Sequence, residues 1–169
     1  GEYIRPISLI QAEQVKEDAK KIHVKKIAQY LIDEHKIPLN QIAINTGDVN
    51  IVLDGSKNMT ELGDDIFEKD CEIRYIITKD KLKEGWDNRF AYVLITVANL
   101  SAKISVEQII GRIMRLPNAK QKKNEELNRA FVYTSSTNFE EAAKSLRAGL
   151  IENGYTAEEA ANAIVTSSQ

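Results

Sequence analysis

The chain has 169 residues, a length that fits one ordinary domain. Hydrophobic residues make up 43% of it and charged residues 28%, which allows a hydrophobic core and excludes an intrinsically disordered chain. The 23 basic residues are balanced by 25 acidic ones, and the net charge of −2 excludes a uniform polycation, so contact with nucleic acid would need a local basic face. One cysteine excludes an internal disulfide and a cysteine-rich zinc site, and with two histidines we expect no metal site.

The sequence carries no sign of membrane insertion or secretion. Its apolar runs are far shorter than a bilayer span, and residues 1–15 lack the charged and then apolar layout of a signal peptide. We therefore expect a soluble, cytoplasmic protein without membrane contact. Because the chain starts with Gly1 and not with Met, we also expect it to be a piece of a larger protein.

Taken in chain order, the apolar residues predict strands and helices that alternate. A short apolar run predicts a strand at 4–11, and a helical stripe follows over 15–34. Residues 41–45 predict a second strand, and residues 49–70, punctuated by Asn, Asp and Gly, predict a loop with short irregular elements. The remaining predictions are strands at 73–78, 91–97 and 129–134 and helices at 105–116, 138–152 and 156–165, with Asn153 and Gly154 as the C-cap between the last two.

This alternation predicts an α/β fold, a single three-layer domain built on a parallel sheet with right-handed crossovers. We expect residues 1–137 to form the sheet domain and residues 138–169 a helical extension of the same domain. Sites in such sheets lie at the carboxyl ends of the strands. Three of these ends carry polar residues: Gln11, the Thr46-Gly47-Asp48 turn, and the segment 78–87.

The helix predicted at 105–116 is apolar around most of its circumference and has one polar stripe. Gln108, Arg112 and Arg115 share that stripe at helical spacing. Two guanidinium groups side by side fit a phosphate, whereas the alternative is a pair of surface arginines in ordinary salt bridges. Gly111 in the helix interior favours the first interpretation, because a glycine there costs about 1 kcal/mol against alanine and indicates a close approach.

The same stretch carries a resemblance to a known family. Residues 107–117 (EQIIGRIMRLP) match the Q-x-x-G-R-x-x-R signature of superfamily 2 helicases, and residues 82–87 (LKEGWD) resemble the motif that precedes it. The variant Lys-Glu-Gly-Trp-Asp, followed by residues 90–94 (FAYVL), is similar to the restriction (Res) subunit of type III restriction-modification enzymes. Residues 5–9 (RPISL), 46–48 (TGD), 116–120 (LPNAK) and 128–131 (NRAF) agree with it, so the resemblance runs from about Arg5 to Ala160.

The resemblance implies the second RecA-like lobe of an ATP-driven motor, the helicase C-terminal domain, with ATP and Mg²⁺ bound mainly by a first lobe that this sequence lacks. In that family the residues corresponding to Arg112 and Arg115 reach the β/γ-phosphates, and Gln108 orients them. Gly85 lets the backbone approach the nucleotide, and Asp87 meets the ribose hydroxyls. The implied fragment is inactive alone, because half of its ATP site is elsewhere.

The resemblance also implies nucleic-acid contacts and partners. Candidate contacts to the DNA backbone are Gln11, Thr46, Gly47, Thr78 and Lys79. Many family members have a threonine where this chain has Lys79, so the contact falls on either Lys79 or the adjacent Thr78. The implied partners are double-stranded DNA, a modification methyltransferase subunit, and the first lobe and nuclease domain of the same protein.

Two alternatives stay open from the sequence. The chain fits the C-terminal lobe of a superfamily 2 helicase or translocase without restriction function, and it also fits a non-catalytic binding module of flavodoxin-like shape. Local charge favours a nucleic-acid role, because residues 103–129 hold seven basic and three acidic side chains, whereas residues 140–169 hold two basic and five acidic ones.

Overall fold

The computed structural model describes residues 5–12, 23–46, 51–55, 57–78, 91–97, 131–134, 139–152 and 154–163. They contain six strands and three α-helices: β1 (Ile7–Gln11), α1 (Val24–Asp33), β2 (Ile42–Asn45), β3 (Thr60–Glu61), β4 (Tyr75–Thr78), β5 (Ala91–Thr96), β6 (Phe131–Thr134), α2 (Phe139–Glu152) and α3 (Ala157–Ala163). Every predicted strand is present within the described residues. The helix predicted at 105–116 and the first half of the one predicted at 15–34 lie outside the described residues.

The six strands form one sheet in the order β3-β2-β4-β1-β5-β6. Every neighbouring pair is parallel, so the predicted α/β class with a parallel sheet is confirmed. The strand order is not that of a flavodoxin-like sheet, in which the first strand lies between the second and the third. Here β1 lies between β4 and β5.

Both faces of the sheet are apolar, as continuous hydrophobic strands require. On one face, which we call the α1 face, Val24, Ile27 and Ala28 pack in the same cluster as Ile10 and Ile77 of the central strands. On the other, the Ile66 face, Ile66 packs with residues that alternate with the first set along the strands: Ile7, Leu9, Ile76 and Leu94. The segment that covers this second face is the stretch from Leu62 to Ile73, with a short 3₁₀ helix at Asp64–Phe67.

The stretch predicted as an irregular loop contributes a strand that the sequence did not predict. β3 has only two residues, both exposed, so no apolar alternation in the sequence predicts it. Before it, an isolated antiparallel bridge joins Val52 to Asn58. The loop prediction therefore holds for most of 49–70, and β3 is the correction to it, because pairing with β2 forms that strand without any apolar pattern in its own residues.

Arg5, two residues before the start of β1, fixes the segment that covers the Ile66 face. Its side chain is 2% exposed. The guanidinium donates to the carbonyl oxygens of Glu68 at 2.9 Å and Cys71 at 2.6 Å, and also to that of Ile66. A planar guanidinium with several N–H donors can bond three carbonyl groups at once. One buried side chain therefore connects the 3₁₀ segment to the amino end of the central strand.

The two C-terminal helices are joined by a turn whose geometry is encoded locally. Gly154 has φ +97°, a conformation that favours glycine, as the predicted C-cap requires. The Tyr155 amide donates to the Leu150 carbonyl at 3.2 Å, which closes the end of α2. At the start of α3, Thr156 and Glu159 form a reciprocal capping box. Among the described residues, no helix is long and apolar enough to cross a membrane.

Candidate functional site at the carboxyl edge of the sheet

A row of uncharged polar residues lines the carboxyl edge of the sheet on its Ile66 face. Asn45, Thr78, Gln11 and Thr96 lie side by side in register on β2, β4, β1 and β5, and the register continues to Thr134 on β6. With about 4.8 Å between neighbouring strands, a row across five strands spans roughly 19 Å. We call these five positions the polar row.

The polar row arises from a pattern that repeats in every one of these strands. Two residues before each polar residue stands an apolar one, and positions two apart in a strand point to the same face. The apolar partners form their own row in register, and together the pairs are Ala43/Asn45, Ile76/Thr78, Leu9/Gln11, Leu94/Thr96 and Val132/Thr134. In the four strands whose side chains the structure describes at these positions, the apolar side chain is buried in the core and the polar one follows at the edge.

Amide and hydroxyl side chains alternate along the described part of the polar row. Thr78 and Thr96 are 2% and 1% exposed, whereas Asn45 and Gln11 are half-buried. The Thr96 hydroxyl donates to the amide oxygen of Gln11 over 3.4 Å. The backbone ladder continues past this point, since the Ala12 amide donates to the Thr78 carbonyl at 2.7 Å and the Val97 amide to the Gln11 carbonyl at 3.1 Å. The edge around Gln11 is therefore held by both backbone and side-chain bonds.

Gln11 lies where the connections that leave two neighbouring strands run toward opposite sides of the sheet. The chain leaves β1 toward β2 on one side and leaves the adjacent β5 toward β6 on the other. Ligands of open α/β sheets bind in the crevice outside the carboxyl ends of strands at such a point. The topology therefore selects the Gln11 and Thr96 pair as the centre of the candidate site.

Thr46 lies one residue beyond the polar row and differs from it in its surroundings. Its side chain is 8% exposed, and its amide donates to a carboxylate oxygen of Glu61 at 3.1 Å. A phosphate that used this amide would compete with the carboxylate and meet its negative charge. The amide of Thr46 is therefore already engaged where the predicted contact would need it.

Of the predicted nucleic-acid contacts, Gln11 and Thr78 are brought together as neighbours, and Thr46 lies one strand away from Thr78. Only Gln11 of these three keeps a half-exposed side chain. The other predicted site residues lie outside the described residues, and their roles stay predictions: Gly47, Lys79, Gly85, Asp87, Gln108, Arg112 and Arg115.

Reasoning from the sequence missed Asn45 and Thr96. The signal that finds them is the repeated apolar-x-polar ending, which is visible in the sequence once the five strands are placed side by side. The described part of the row has no charged member, so it offers hydroxyl and amide donors and acceptors, the groups that contact phosphate oxygens without an ion pair. Within the described ranges, no three His, Cys, Asp or Glu side chains cluster as metal ligands would.

No protein-family model and no curated protein matches the chain. One solved structure with a partly similar arrangement is the C-terminal domain of S. cerevisiae Dbp5 bound to Gle1 and IP6. The two are 15% identical, and the match covers 90% of this chain and 72% of that one with a TM-score of 0.40. A TM-score this low does not establish a common fold. The fold class stands on the strand order and the parallel pairing instead.

Proposed function

We propose that this chain is the second RecA-like lobe of a superfamily 2 motor. The observation that supports the proposal is that Gln11 and Thr78 are neighbours at the carboxyl edge of the sheet. These residues come from two segments far apart in the sequence, each stands at the carboxyl end of a predicted strand where the resemblance implies a nucleic-acid contact, and they lie in register on adjacent strands. Their place beside the point where chain directions diverge is where a ligand site belongs in such a sheet.

In this function the polar row contacts the backbone of double-stranded DNA. Gln11 is the contact residue that the described geometry favours, since it is half-exposed while Thr78 and Thr96 are buried. Uncharged groups position a nucleic-acid backbone and release few counterions. The electrostatic attraction then comes from the basic stretch at 103–129, so the two regions divide positioning and attraction between them.

The motor function implies ATP and Mg²⁺ between this lobe and a first one. Two guanidinium groups and an amide on one stripe, Arg112, Arg115 and Gln108, fit a triphosphate by their donor chemistry. Gly85 and Asp87 would meet the sugar side of the nucleotide. Hydrolysis of bound ATP would supply the free energy. The arginines of this chain would stabilise the negative charge that develops on the phosphates during phosphoryl transfer.

More specifically, we propose the ATP-dependent restriction subunit of a type III enzyme, which is cytoplasmic and works with a modification methyltransferase and its own nuclease domain. The support is the Lys-Glu-Gly-Trp-Asp variant with its following residues, together with the shorter matches at 5–9, 46–48 and 116–120. The coarser alternative is a superfamily 2 helicase or translocase without restriction function.

The motor proposal is tested by ATP turnover of the full-length protein with double-stranded DNA. Arg115→Ala is expected to abolish turnover and leave ATP binding largely intact, because the lost charge acts on the transferring phosphate. Lys144→Ala, which removes an exposed positive charge outside the basic stretch, is the matched control and is expected to turn over ATP normally. Wild-type turnover in Arg115→Ala contradicts the role, and turnover by the 169 residues alone contradicts the half-site.

The restriction proposal needs a separate readout. With the methyltransferase partner, ATP and unmethylated DNA, the full-length protein is expected to produce double-strand breaks. ATP-driven movement on DNA without any cleavage under these conditions would favour the helicase or translocase alternative and reject the restriction function.

A further inference from the structure

Gln11 has an environment that fixes the orientation of its amide group. The side chain is half-buried and stands in the polar row between two buried threonines, Thr78 and Thr96. A glutamine amide has an acceptor oxygen on one side and two N–H donors on the other, so whatever the oxygen bonds decides where the donors point.

The Thr96 hydroxyl fixes the position of the Gln11 amide oxygen. It donates to the Gln11 oxygen Oε1 over 3.4 Å. Thr96 is 1% exposed and lies on β5, which is paired on both sides, so its hydroxyl stays in one place relative to β1. With the oxygen turned toward Thr96, the Nε2 donors of Gln11 are turned away from it, toward the other side of the row.

We propose that Thr96 is a positioning residue that makes Gln11 a hydrogen-bond donor to its ligand. The proposal rests on the proposed function for the identity of that ligand. It deepens that function by assigning the ligand chemistry at this position: acceptor oxygens, as on the phosphates of a DNA backbone. A reversed amide would present its carbonyl oxygen to a phosphate oxygen, two acceptors that have no proton to share.

The alternative is that Thr96 only completes the packing of the edge. Threonine and valine have nearly the same shape, so Thr96→Val keeps the packing and removes the donor to Gln11. Thr96→Ser keeps the hydroxyl and loses a methyl group. A positioning role predicts that serine behaves as the wild type and valine does not, whereas a packing role predicts the reverse.

The experiment has two readouts on the 169-residue chain, each for wild type, Thr96→Val and Thr96→Ser. The first is the pair of side-chain amide resonances of Gln11 in ¹⁵N-resolved NMR without any ligand. The second is the affinity for a short double-stranded DNA by fluorescence anisotropy at two salt concentrations. Urea denaturation of each variant confirms that it is folded.

We expect the Gln11 amide resonances to move in Thr96→Val and to keep their wild-type positions in Thr96→Ser. DNA affinity is expected to fall about fivefold in Thr96→Val, the effect of one ordinary hydrogen bond. The salt dependence is expected to stay unchanged, because no charge is altered. Gln11→Glu, which keeps the shape and replaces the donors with a charged acceptor, is expected to bind more weakly than either threonine variant.

The two proposals fail in different ways. Unchanged Gln11 resonances in Thr96→Val overturn the positioning role, whatever the DNA does. Moved resonances support that role, and if the wild-type chain and the full-length protein then bind no DNA, the proposed function is what fails. Equal DNA affinity of the wild type and Thr96→Val, with measurable binding, also overturns the inference.

Discussion

Removing the Arg5 side chain is expected to cause a large loss of stability for a single substitution. The guanidinium is 2% exposed and donates to the carbonyls of Ile66, Glu68 and Cys71. In Arg5→Ala these three oxygens lose the guanidinium, although the Glu68 oxygen still accepts from the Cys71 amide at 3.3 Å and the Cys71 oxygen from the Arg74 guanidinium at 3.2 Å. Leaving a buried polar group unsatisfied costs about 1–3 kcal/mol.

The lower end of that range applies here, because two of the oxygens keep a second donor and water can enter the space that the long side chain leaves. Three carbonyls at about 1 kcal/mol each give a loss of about 3 kcal/mol in the free energy of unfolding. This is a large part of the roughly 5–15 kcal/mol by which ordinary domains are stable. Arg5→Lys is expected to lose less, since an ammonium group reaches one or two of the three oxygens but lacks the planar fork that reaches them all.

The assay is urea denaturation followed by circular dichroism, with Lys69→Ala as the control. Lys69 lies in the same segment with an exposed side chain, so its removal is expected to change stability by less than about 0.5 kcal/mol. Hydrogen exchange of the amides between Ile66 and Cys71 gives a local readout, and Arg5→Ala is expected to speed it. A loss below about 1 kcal/mol with unchanged exchange in this segment would refute the reasoning.

Three further predictions concern the helical turn and the edge of the sheet. Gly154→Ala is expected to lower stability by about 1 kcal/mol in urea denaturation, because alanine strains at φ +97°, whereas Gly63→Ala, at φ −102°, meets only the flexible end of an aspartate and is expected to cost less. The Thr156 backbone amide, and after it the Thr156 hydroxyl, hold the pKa of Glu159 below its ordinary value, so the capping box contributes stability above that value and loses it as pH falls through the folded pKa. A carboxyl titration by NMR that finds the pKa of Glu159 at or above its ordinary value would contradict this prediction. Glu61→Gln removes a negative charge beside the candidate DNA edge, so severalfold tighter DNA binding is expected in the anisotropy assay, and equal or weaker binding would argue against an anion at that end of the row.

The sequence was most informative where the residues of a single element show the pattern that is typical of that element. The apolar runs around Leu9, Ile76 and Leu94 predicted their strands, because a strand buried on both faces must be hydrophobic throughout. The α2 to α3 turn was also readable, since Gly154 serves contacts within a few residues. β3 was missed because its two residues are exposed and its strand character comes only from pairing with β2.

The candidate site was readable in part for the same reason. Gln11 and Thr78 were selected because each stands at the carboxyl end of a predicted strand, where the resemblance implies a nucleic-acid contact. Asn45 and Thr96 were not, because their role depends on register, and register is a relation between strands that no single segment contains. Arg5 gave no signal of its own, since its three carbonyl partners lie more than sixty residues away along the chain.

By itself, the sequence determined that this protein is an α/β domain with parallel strands and polar residues at their carboxyl ends. The alternation of apolar runs is a local property, so it can be read from the sequence alone. Only the tertiary structure decided that the strand endings form one continuous row, that Thr78 and Thr96 are buried while Gln11 is half-exposed, and that the Thr96 hydroxyl donates to Gln11. These facts depend on strand order and register, which are fixed by packing two apolar faces at once.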